Sequence, residues 1–495
     1  MPTKHSFFIM LVIYLLTSCA SRQEEKSSTV TITGKVINYD SHENKSIVNV
    51  IVNDNGIANQ VSYPAKIDSE GYFKVKLERR YAQDVMISYR TNFRILINPG
   101  DSLYVEFDGK LSDRLKIFET VKFNGSGAKV NQQFSQYLKH SFETEEDPGF
   151  VNQQIKDLNL LEYISFHDSL KVSRQHSIED YLEKNPTTSP QVRQWIKSSL
   201  KVSMFMSLIN YPRLHKRFNE LDDSWQVDSH YKEAVLNYEP ITKQDLIYSD
   251  TRWLINSFLY TYIWSRAWQV SDSTAKANPD SLIFNSIIAW SPEKGLLKQL
   301  TANEFVHTTL ARYDSSFYKD NINSIESIIK EDFLLEPIHE RYERVTTPVS
   351  KSDLSQVDAI GEASGKKIWS EILEKNKGKI IFIDSWATWC PPCIAEFRFS
   401  NGIMESYKED DIAFVYLCLR SKRNSWEKII EERKLGGQHY FLDDEQAAFF
   451  EQLLEITGFP SYTLLDKEAK VFRSGNSLRL SSKTTQEIIN QLLNK

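Results

Sequence analysis

Hydrophobic and polar positions divide the chain into stretches with different periodicities. Between residues 28 and 123, apolar and polar residues alternate over short runs, at 30–36, 73–77 and 103–107. A period of two is typical of strands with one buried face, and turn signals rich in Gly, Pro and Asp separate the runs. The pattern predicts a small antiparallel β-sandwich over residues 28–123.

A second stretch, residues 124–345, has few glycines and shows a helical period with many aromatic residues. Its most apolar part, residues 253–264, contains Asn256 and Thr261 and continues to Arg266. Polar groups at this density argue against a membrane span. The pattern predicts a helical domain with a buried core. Whether that domain shapes a substrate groove or serves as a rigid stalk stays open.

The last stretch, residues 346–495, opens with a polar segment, 346–352, that is typical of a linker. Residues 379–384 form a short isoleucine-rich run that predicts a buried strand, and the segment from Ile394 onward suits a helix. A pair of cysteines separated by two residues stands between this strand and this helix. The pair is therefore expected at the N-terminus of the helix.

Two cysteines at this spacing, Cys390 and Cys393, can close into a disulfide and reopen, which is the chemistry of thiol–disulfide exchange. Free N–H groups and the helix dipole stabilise a thiolate at a helix N-terminus, where the pKa of cysteine falls from about 8.5 to about 3.5–7.5. We expect Cys390, at the exposed end, to be the nucleophile. Cys393, one turn later and more buried, would resolve the mixed disulfide. Pro391 and Pro392 fit the first helical turn.

A Cys-x-x-Cys pair can instead be half of a zinc site, which needs two further thiolate or imidazole ligands. The remaining cysteines are Cys19 and Cys418. Cys418 lies in an apolar run, residues 414–419, that predicts a buried strand, so we expect an inert core thiol. The redox pair is the favoured interpretation, with no metal and no cofactor.

The segment 386–393 resembles the thioredoxin superfamily, and within it the exported TlpA/ResA-like thiol–disulfide oxidoreductases. The resemblance covers about residues 351–495, and Asp384, Glu396 and the loop 456–461 carry it together with the Trp-x-x-Trp-Cys-x-x-Cys run. It implies an enzyme with a C-terminal α/β thioredoxin fold. The whole chain would then be a multidomain protein in which a β-sandwich and a helical domain precede this fold.

The resemblance also implies roles for individual residues. Asp384 matches the buried acid that moves the proton of the resolving thiol, and Glu396 matches the active-site glutamate of the ResA-like group. An ordinary surface glutamate is the alternative for Glu396. Pro460 matches a cis-proline that faces the cysteines and aligns the substrate. Phe459 and Trp389 would then lie at the rim where the substrate binds.

The direction of electron flow stays open, because Pro391 replaces the common glycine or charged residue between the cysteines and Phe459 is bulkier than usual. The resemblance favours a reductase that acts on disulfide-bearing exported proteins and is re-reduced by a membrane electron donor. A thiol peroxidase is the related alternative, although its Pro-x-x-x-Thr/Ser-x-x-Cys loop is missing. A tethered binding protein, whose first 345 residues carry the function, is the alternative from another class.

The N-terminus predicts an exported lipoprotein. Ten apolar residues, 7–16, follow a basic start and are too few to span a bilayer permanently. Residues 16–19, Leu-Thr-Ser-Cys, resemble a bacterial lipobox, which implies removal of a signal peptide of residues 1–18 and acylation of Cys19. The lipid chains would then hold the protein to a membrane. An ordinary secretory signal is the alternative.

Residues 19–27 are polar and predict a flexible tether. Acidic residues this close to the lipobox resemble the surface-export signals of some Bacteroidetes lipoproteins, and the β-domain resembles one that precedes the redox domain in many of their TlpA-like lipoproteins. We therefore expect a lipid-anchored protein of the cell envelope that faces the periplasm or the outside. The chain has 60 basic and 66 acidic residues, a net charge of −6, so nothing in the charge balance indicates binding of nucleic acid and we expect none.

Overall fold

The computed structural model describes residues 27–40, 46–144, 146–222, 224–264, 279–290, 295–310, 315–346 and 362–494. The predicted signal peptide, Cys19, almost all of the tether and most of the predicted linker lie outside these ranges. Within them the chain has an N-terminal β-sheet region, a helical middle and a C-terminal region of alternating strands and helices. This order agrees with the sequence-based expectation, whereas the predicted domain boundaries stay predictions.

The N-terminal region is built from short strands. They are β1 Ser28–Ile37, β2 Ile47–Asp54, β3 Asn59–Lys66, β4 Tyr72–Arg79, β5 Gln83–Ser88, β6 Asn92–Ile97, β7 Ser102–Asp108 and β8 Lys122–Gly125, with helix α1, Arg114–Thr120, before β8. The strands form two four-stranded sheets, one in the order β4-β1-β7-β8 and one in the order β3-β2-β5-β6. Every second side chain of β4 is buried, which explains its alternating sequence.

The expectation of an antiparallel arrangement is wrong for one strand pair. β1 and β7 run parallel, with Ile32 opposite Leu103, whereas the other pairs of both sheets are antiparallel. All four strands of the second sheet lie between β1 and β7 in the chain, which then returns to pair with β1 in the same direction. Alternation of apolar residues identifies a strand but does not give its direction.

One hydrophobic core serves both sheets and continues into the helical region. Val30 and Ile87, one from each sheet, are fully buried in it, and Phe134 and Trp195 from two helices join them. The rings of Phe134 and Trp195 pack edge to face with centroids 4.8 Å apart. A sandwich arrangement of the two sheets stays a prediction.

The helical region carries the chain from the sheets to the C-terminal region. Its α-helices are α2 Ala128–Thr144, α3 Pro148–Asp157, α4 Leu160–Lys184, α5 Pro190–Phe218, α6 His230–Leu236, α7 Thr251–Ser257, α8 Pro279–Ala289, α9 Gly295–Leu310, α10 Ser316–Ile328 and α11 Asp332–Thr346. A 3₁₀ turn, Lys243–Ile247, precedes α7, and a π-helical segment, Phe258–Ile263, follows it.

The apolar stretch 253–264 is helical, as predicted, and includes most of α7 and the whole π-helical segment. Leu254, Phe258 and Tyr262 are buried in the core of the helical region, whereas Trp253 is exposed. Throughout the described part of the chain, no helix is both long and apolar enough to cross a membrane. The continuation of this stretch beyond residue 264 lies outside the described residues.

The C-terminal region alternates helices and strands. They are α12 Glu362–Lys375, β9 Ile380–Trp386, α13 Pro391–Met404, β10 Ile412–Cys418, α14 Arg423–Arg433, β11 Gln438–Phe441, α15 Asp444–Leu453, β12 Ser461–Leu465, β13 Val471–Gly475 and α16 Lys483–Leu493. The strands form one sheet in the order β11-β10-β9-β12-β13, in which β9 is parallel to β10 and antiparallel to β12.

The central strand β9 is buried along its entire length, as its isoleucine-rich sequence predicts. Successive side chains of a strand point to opposite faces of the sheet. Ile380 and Phe382 accordingly enter one hydrophobic cluster, and Ile381 and Ile383 enter another. The chain leaves this strand and, after a short loop, enters α13, which places the cysteine pair at the carboxyl end of β9.

Candidate active site

The cysteine pair lies at the N-terminus of α13. Cys390 is the N-cap residue of this helix, and Pro391 and Pro392 occupy its first turn, as predicted. Cys390 and Cys393 form a disulfide, with their Cα atoms 5.4 Å apart. The backbone N–H of Cys393 donates a hydrogen bond to Cys390 Sγ at 3.2 Å. The same N–H group can stabilise a thiolate at Cys390 once the disulfide is reduced.

Both cysteines are covered in this disulfide form. Cys390 is only 3% exposed and Cys393 is fully buried. The expected order of burial is confirmed, but the expectation of an exposed Cys390 is wrong here. The cause is the cluster around it, in which the buried ring of Trp386 packs edge to face on Phe397 at 4.8 Å. The sulfur of Cys390 is therefore largely shielded from solvent in the disulfide form.

Asp384 lies within β9 and is buried, as predicted. Tyr416 on β10 and Tyr462 on β12 are its register partners, so the three side chains leave the sheet on the same face. Burial raises the pKa of Asp384 well above its ordinary value; the charge of Glu396 adds to the rise and that of Arg479 opposes it. The carboxyl group therefore keeps its proton to a higher pH than an exposed aspartate does.

Glu396 lies on the buried face of α13, one turn after Cys393. It is 4% exposed, and its Oε1 accepts a hydrogen bond from the backbone N–H of Ser481 at 2.7 Å. Its Oε2 is 3.7 Å from a guanidinium nitrogen of Arg479. The alternative of an ordinary surface glutamate is thereby excluded. Glu396 and Asp384 form a buried carboxyl pair on the inner side of the helix that carries the cysteines.

The three residues expected to bind the substrate lie together. Trp389 is 62% exposed, and its ring packs edge to face on Phe459 with centroids 5.6 Å apart. The indole Nε1 of Trp389 donates a hydrogen bond to the backbone carbonyl of Arg420 at 2.7 Å. The peptide bond between Phe459 and Pro460 is cis, as the family resemblance implies. An aromatic rim thus adjoins Cys390.

Sequence reasoning missed four residues of this site: Tyr416, Tyr462, Arg420 and Arg479. The two tyrosines lie in apolar runs that resemble ordinary strand sequence, and only the register of the sheet brings them beside Asp384. The two arginines stand in loops far from the cysteines along the chain. Their contacts are long-range, so no local pattern signals them.

The third cysteine of the described residues, Cys418, is a free thiol that ends β10 and is fully buried. Burial raises the pKa of its thiol to about 12, and a hydrogen bond with Ser421 opposes that rise only in part. This environment agrees with the expectation of an inert core thiol. Among the described residues, no group of three or more His, Cys, Asp or Glu side chains could hold a metal ion.

Known proteins resemble this C-terminal region. The Redoxin family model matches residues 371–486. Thiol-disulfide oxidoreductase ResA of Bacillus thuringiensis subsp. konkukian is 24% identical over 136 residues, which are 28% of this chain and 72% of the relative. The C-terminal region belongs to the thioredoxin superfamily and is TlpA/ResA-like. The predicted family is thereby confirmed, and this TlpA/ResA-like chain is a thiol–disulfide oxidoreductase.

Solved structures are also similar to part of this chain. The thioredoxin domain of a thiol-disulfide oxidoreductase from Bacteroides vulgatus is 24% identical, with a TM-score of 0.22, and the match covers 24% of this chain and 84% of that one. A thiol:disulfide interchange protein from Bacteroides sp. is also 24% identical, with a TM-score of 0.21, over 24% of this chain and 78% of that one. The relative and the two structures each match only about a quarter of this chain.

Proposed function

We propose that this chain is a lipid-anchored protein disulfide reductase of the bacterial cell envelope. The observation that carries the proposal is the Cys390–Cys393 disulfide at the N-terminus of α13, with the buried carboxyl pair of Asp384 and Glu396 on the inner face of that helix. A helix N-terminus supplies an activated thiolate, and a buried carboxyl group supplies a proton acceptor.

In the first step the Cys390 thiolate of the reduced enzyme attacks one sulfur of a substrate disulfide. A bond forms between Cys390 Sγ and that sulfur, the substrate disulfide breaks, and the second substrate sulfur leaves as a thiolate that takes up a proton. The N–H of Cys393, which is 3.2 Å from Cys390 Sγ in the disulfide form, stabilises the attacking anion.

In the second step Cys393 attacks Cys390 Sγ and displaces the substrate. Cys393 first loses its proton to Asp384, because a carboxylate of raised pKa is a stronger base than an ordinary aspartate. Glu396 supports this role, since its charge raises the pKa of Asp384 further. The substrate sulfur bonded to Cys390 leaves as a thiolate and takes up a proton. The substrate thus gains two electrons and two protons in total, and the enzyme ends as the Cys390–Cys393 disulfide.

Substrate binding is assigned to the aromatic rim. The exposed ring of Trp389, backed by Phe459, offers an apolar surface beside the disulfide for an extended polypeptide. The loop that contains Pro460 would align the substrate backbone. These side chains suit disulfide-bearing proteins better than they suit small charged disulfides.

The cellular setting is part of the same proposal. The lipobox-like segment ending at Cys19 supports export and lipid anchoring, with the redox region facing the periplasm or the outside. These spaces lack the thiol buffer of the cytoplasm, so a membrane electron donor would return two electrons to the disulfide after each turnover. Mass spectrometry of the mature protein should find an acylated Cys19 as the first residue. An unmodified chain that starts elsewhere would contradict the anchor.

The central experiment compares three cysteine variants in the reduction of insulin disulfides. Cys390→Ser should lower the rate about 1,000-fold or more, because it removes the nucleophile. Cys393→Ser should accumulate covalent adducts with the substrate, because nothing resolves the mixed disulfide. Cys418→Ser is the control and should keep the wild-type rate. A Cys390→Ser enzyme with the wild-type rate would contradict the proposed mechanism.

One observation favours the alternative of a binding protein. A cavity of about 400 Å³ lies where the sheets meet the helical region, and Arg94, Arg114, Arg174 and several aromatic rings line it. A ligand held there would give the first part of the chain a function of its own. Adduct trapping with Cys393→Ser discriminates between the two functions, since a defined set of disulfide-bonded proteins supports the reductase and their absence supports the binding protein.

A further inference from the structure

The loop that follows β10 supports the loop that carries Trp389. The backbone N–H of Leu419 donates to the carbonyl of Trp386 at 2.9 Å, and the backbone N–H of Thr388 donates to Ser421 Oγ at 2.9 Å. The indole of Trp389 donates to the carbonyl of Arg420 at 2.7 Å. Three consecutive residues, 419–421, therefore bind the segment that leads into Cys390.

The side chain of Arg420 fixes this supporting loop to a helix. Its Nε and one Nη donate to the two carboxylate oxygens of Glu451 at 2.9 and 2.6 Å, in the fork geometry of a bidentate pair. The other Nη donates to the backbone carbonyl of Asp444 at 3.3 Å and to its carboxylate at 3.4 Å. Both acids belong to α15, whose apolar face is buried in the domain core.

The backbone of Arg420 has a conformation that needs such support. Its φ is 52°, in the left-handed region that residues with a Cβ atom rarely adopt. The ion pairs with Glu451 and Asp444 fix the side chain, which is 19% exposed, and with it the orientation of this residue. Without them the backbone is free to relax toward the common right-handed region, which would turn the carbonyl away from Trp389.

We propose that Arg420 is a positioning residue, which holds the exposed indole of Trp389 in place through its carbonyl while Glu451 and Asp444 hold its side chain. The proposal rests on the proposed function, since it makes the aromatic rim a prearranged surface for the substrate. An exposed tryptophan that is already fixed loses less conformational freedom when a polypeptide binds to it. In this role Arg420 acts through the indole of Trp389 and not on the reacting sulfurs.

Steady-state kinetics of insulin reduction tests the proposal. Glu451→Gln and Arg420→Ala should each raise KM for insulin about five-fold, with kcat changed less than two-fold, because ground-state binding is lost and the cysteines are untouched. The kinetics with oxidised glutathione, which is too small to need the rim, should stay unchanged. Glu455→Gln is the matched control, because Glu455 follows α15 and pairs with Arg341 at 3.1 Å instead. It should keep the wild-type KM.

A spectroscopic measurement reports on the indole directly. In protein labelled with 5-fluorotryptophan, the ¹⁹F resonance of Trp389 is assigned by its absence in Trp389→Phe. In Glu451→Gln this resonance should shift and broaden, while that of the buried Trp386 stays unchanged. If Glu451 had only a general structural role, its substitution would shift the resonances of both tryptophans. The double variant Arg420→Ala/Glu451→Gln should raise KM no further than either single variant, because both act through one contact.

These experiments distinguish a failure of the Arg420 proposal from a failure of the proposed function. If wild-type enzyme reduces insulin and Cys390→Ser does not, the function stands whatever the Arg420 variants do. If Glu451→Gln then leaves both KM and the Trp389 resonance unchanged, Arg420 does not position the indole and the proposal is overturned. If KM rises equally for insulin and oxidised glutathione, the effect is not on the rim, and the proposal is likewise overturned.

Discussion

At the scale of single residues, the main feature of the active site is its two buried carboxylic acids. The sequence predicts the burial of Asp384, because an aspartate that interrupts a run of isoleucines has no solvent-exposed face to occupy. The sequence does not decide whether Glu396 is buried. Helical spacing alone cannot show that the segment around Ser481 covers that side of α13. Tyr416 and Tyr462 could not be predicted as neighbours of Asp384, because the register of the strands is a property of the folded sheet.

Burial of Asp384 gives the protein a pH dependence of stability. Its pKa is raised in the folded state, so that state binds more protons than the unfolded chain once the pH exceeds the ordinary carboxyl value of about 4. The free energy of unfolding therefore falls as the pH rises from there toward the raised pKa. Asp384→Asn should remove this loss and be more stable than wild type, by up to about 1.4 kcal/mol for each pH unit in that range.

Urea unfolding of the disulfide form from pH 3 to pH 8 measures this effect. The stability difference between Asp384→Asn and wild type should be small at pH 3, where both states are protonated, and should grow with pH. Asp410→Asn, at an exposed position, is the control for the replacement of an aspartate by an asparagine. A difference for Asp384→Asn that shrinks as the pH rises would contradict the raised pKa.

At the scale of elements, local sequence patterns predict several strands and helices correctly. The strands predicted at 30–36, 73–77 and 103–107 are β1, β4 and β7, and the helix expected after the cysteines is α13. The parallel pairing of β1 with β7 could not be predicted, because it depends on the path of the chain through the second sheet. The support of the active-site loop by residues 419–421 is likewise a contact between elements that no local pattern encodes.

The packing of α12 on α15 depends on a glycine. A Cβ atom at Gly365 would lie 2.5 Å from the ring of Phe449, closer than van der Waals contact allows. Gly365→Ala should therefore destabilise the protein by about 1 kcal/mol, because a clash of about 1–3 kcal/mol exceeds the helix-propensity gain of about 1 kcal/mol. Thermal unfolding of the variant and the wild type gives the difference.

Gly402 in α13 provides the matched control for this prediction. A Cβ atom there meets no other heavy atom within 4 Å, so Gly402→Ala should stabilise the protein by about 0.5–1 kcal/mol. Equal stabilisation by both substitutions would show that α12 and α15 are not packed as closely as described.

At the scale of the whole molecule, the sequence predicts the order of the three regions but not how closely the first two are joined. Asp84 of β5 is fully buried at that junction. Its carboxylate accepts hydrogen bonds from the indole of Trp195 at 2.8 Å and from the backbone and hydroxyl of Ser249 at 2.8 Å, and it pairs with Arg94. Residues more than a hundred positions apart thus share one polar network.

Asp84→Asn should weaken this junction strongly. The substitution leaves Arg94 with only part of its compensating charge in a largely buried site, which costs about 3 kcal/mol. Glu106→Gln removes an ion pair with the exposed Lys122 and should cost less than about 1 kcal/mol. Urea unfolding of both variants tests the prediction, and equal losses would contradict a specific role of the Asp84 network.

The reduction potential of the Cys390–Cys393 pair tests the central claim most directly. It is measured by equilibrating the protein with dithiothreitol buffers of known potential and quantifying the free thiols. A reductase should titrate reversibly as a two-electron couple at or below about −230 mV, in the range of glutaredoxins and thioredoxin. A potential near −120 mV, typical of a strong protein oxidant, or a disulfide that does not re-form, would contradict the account.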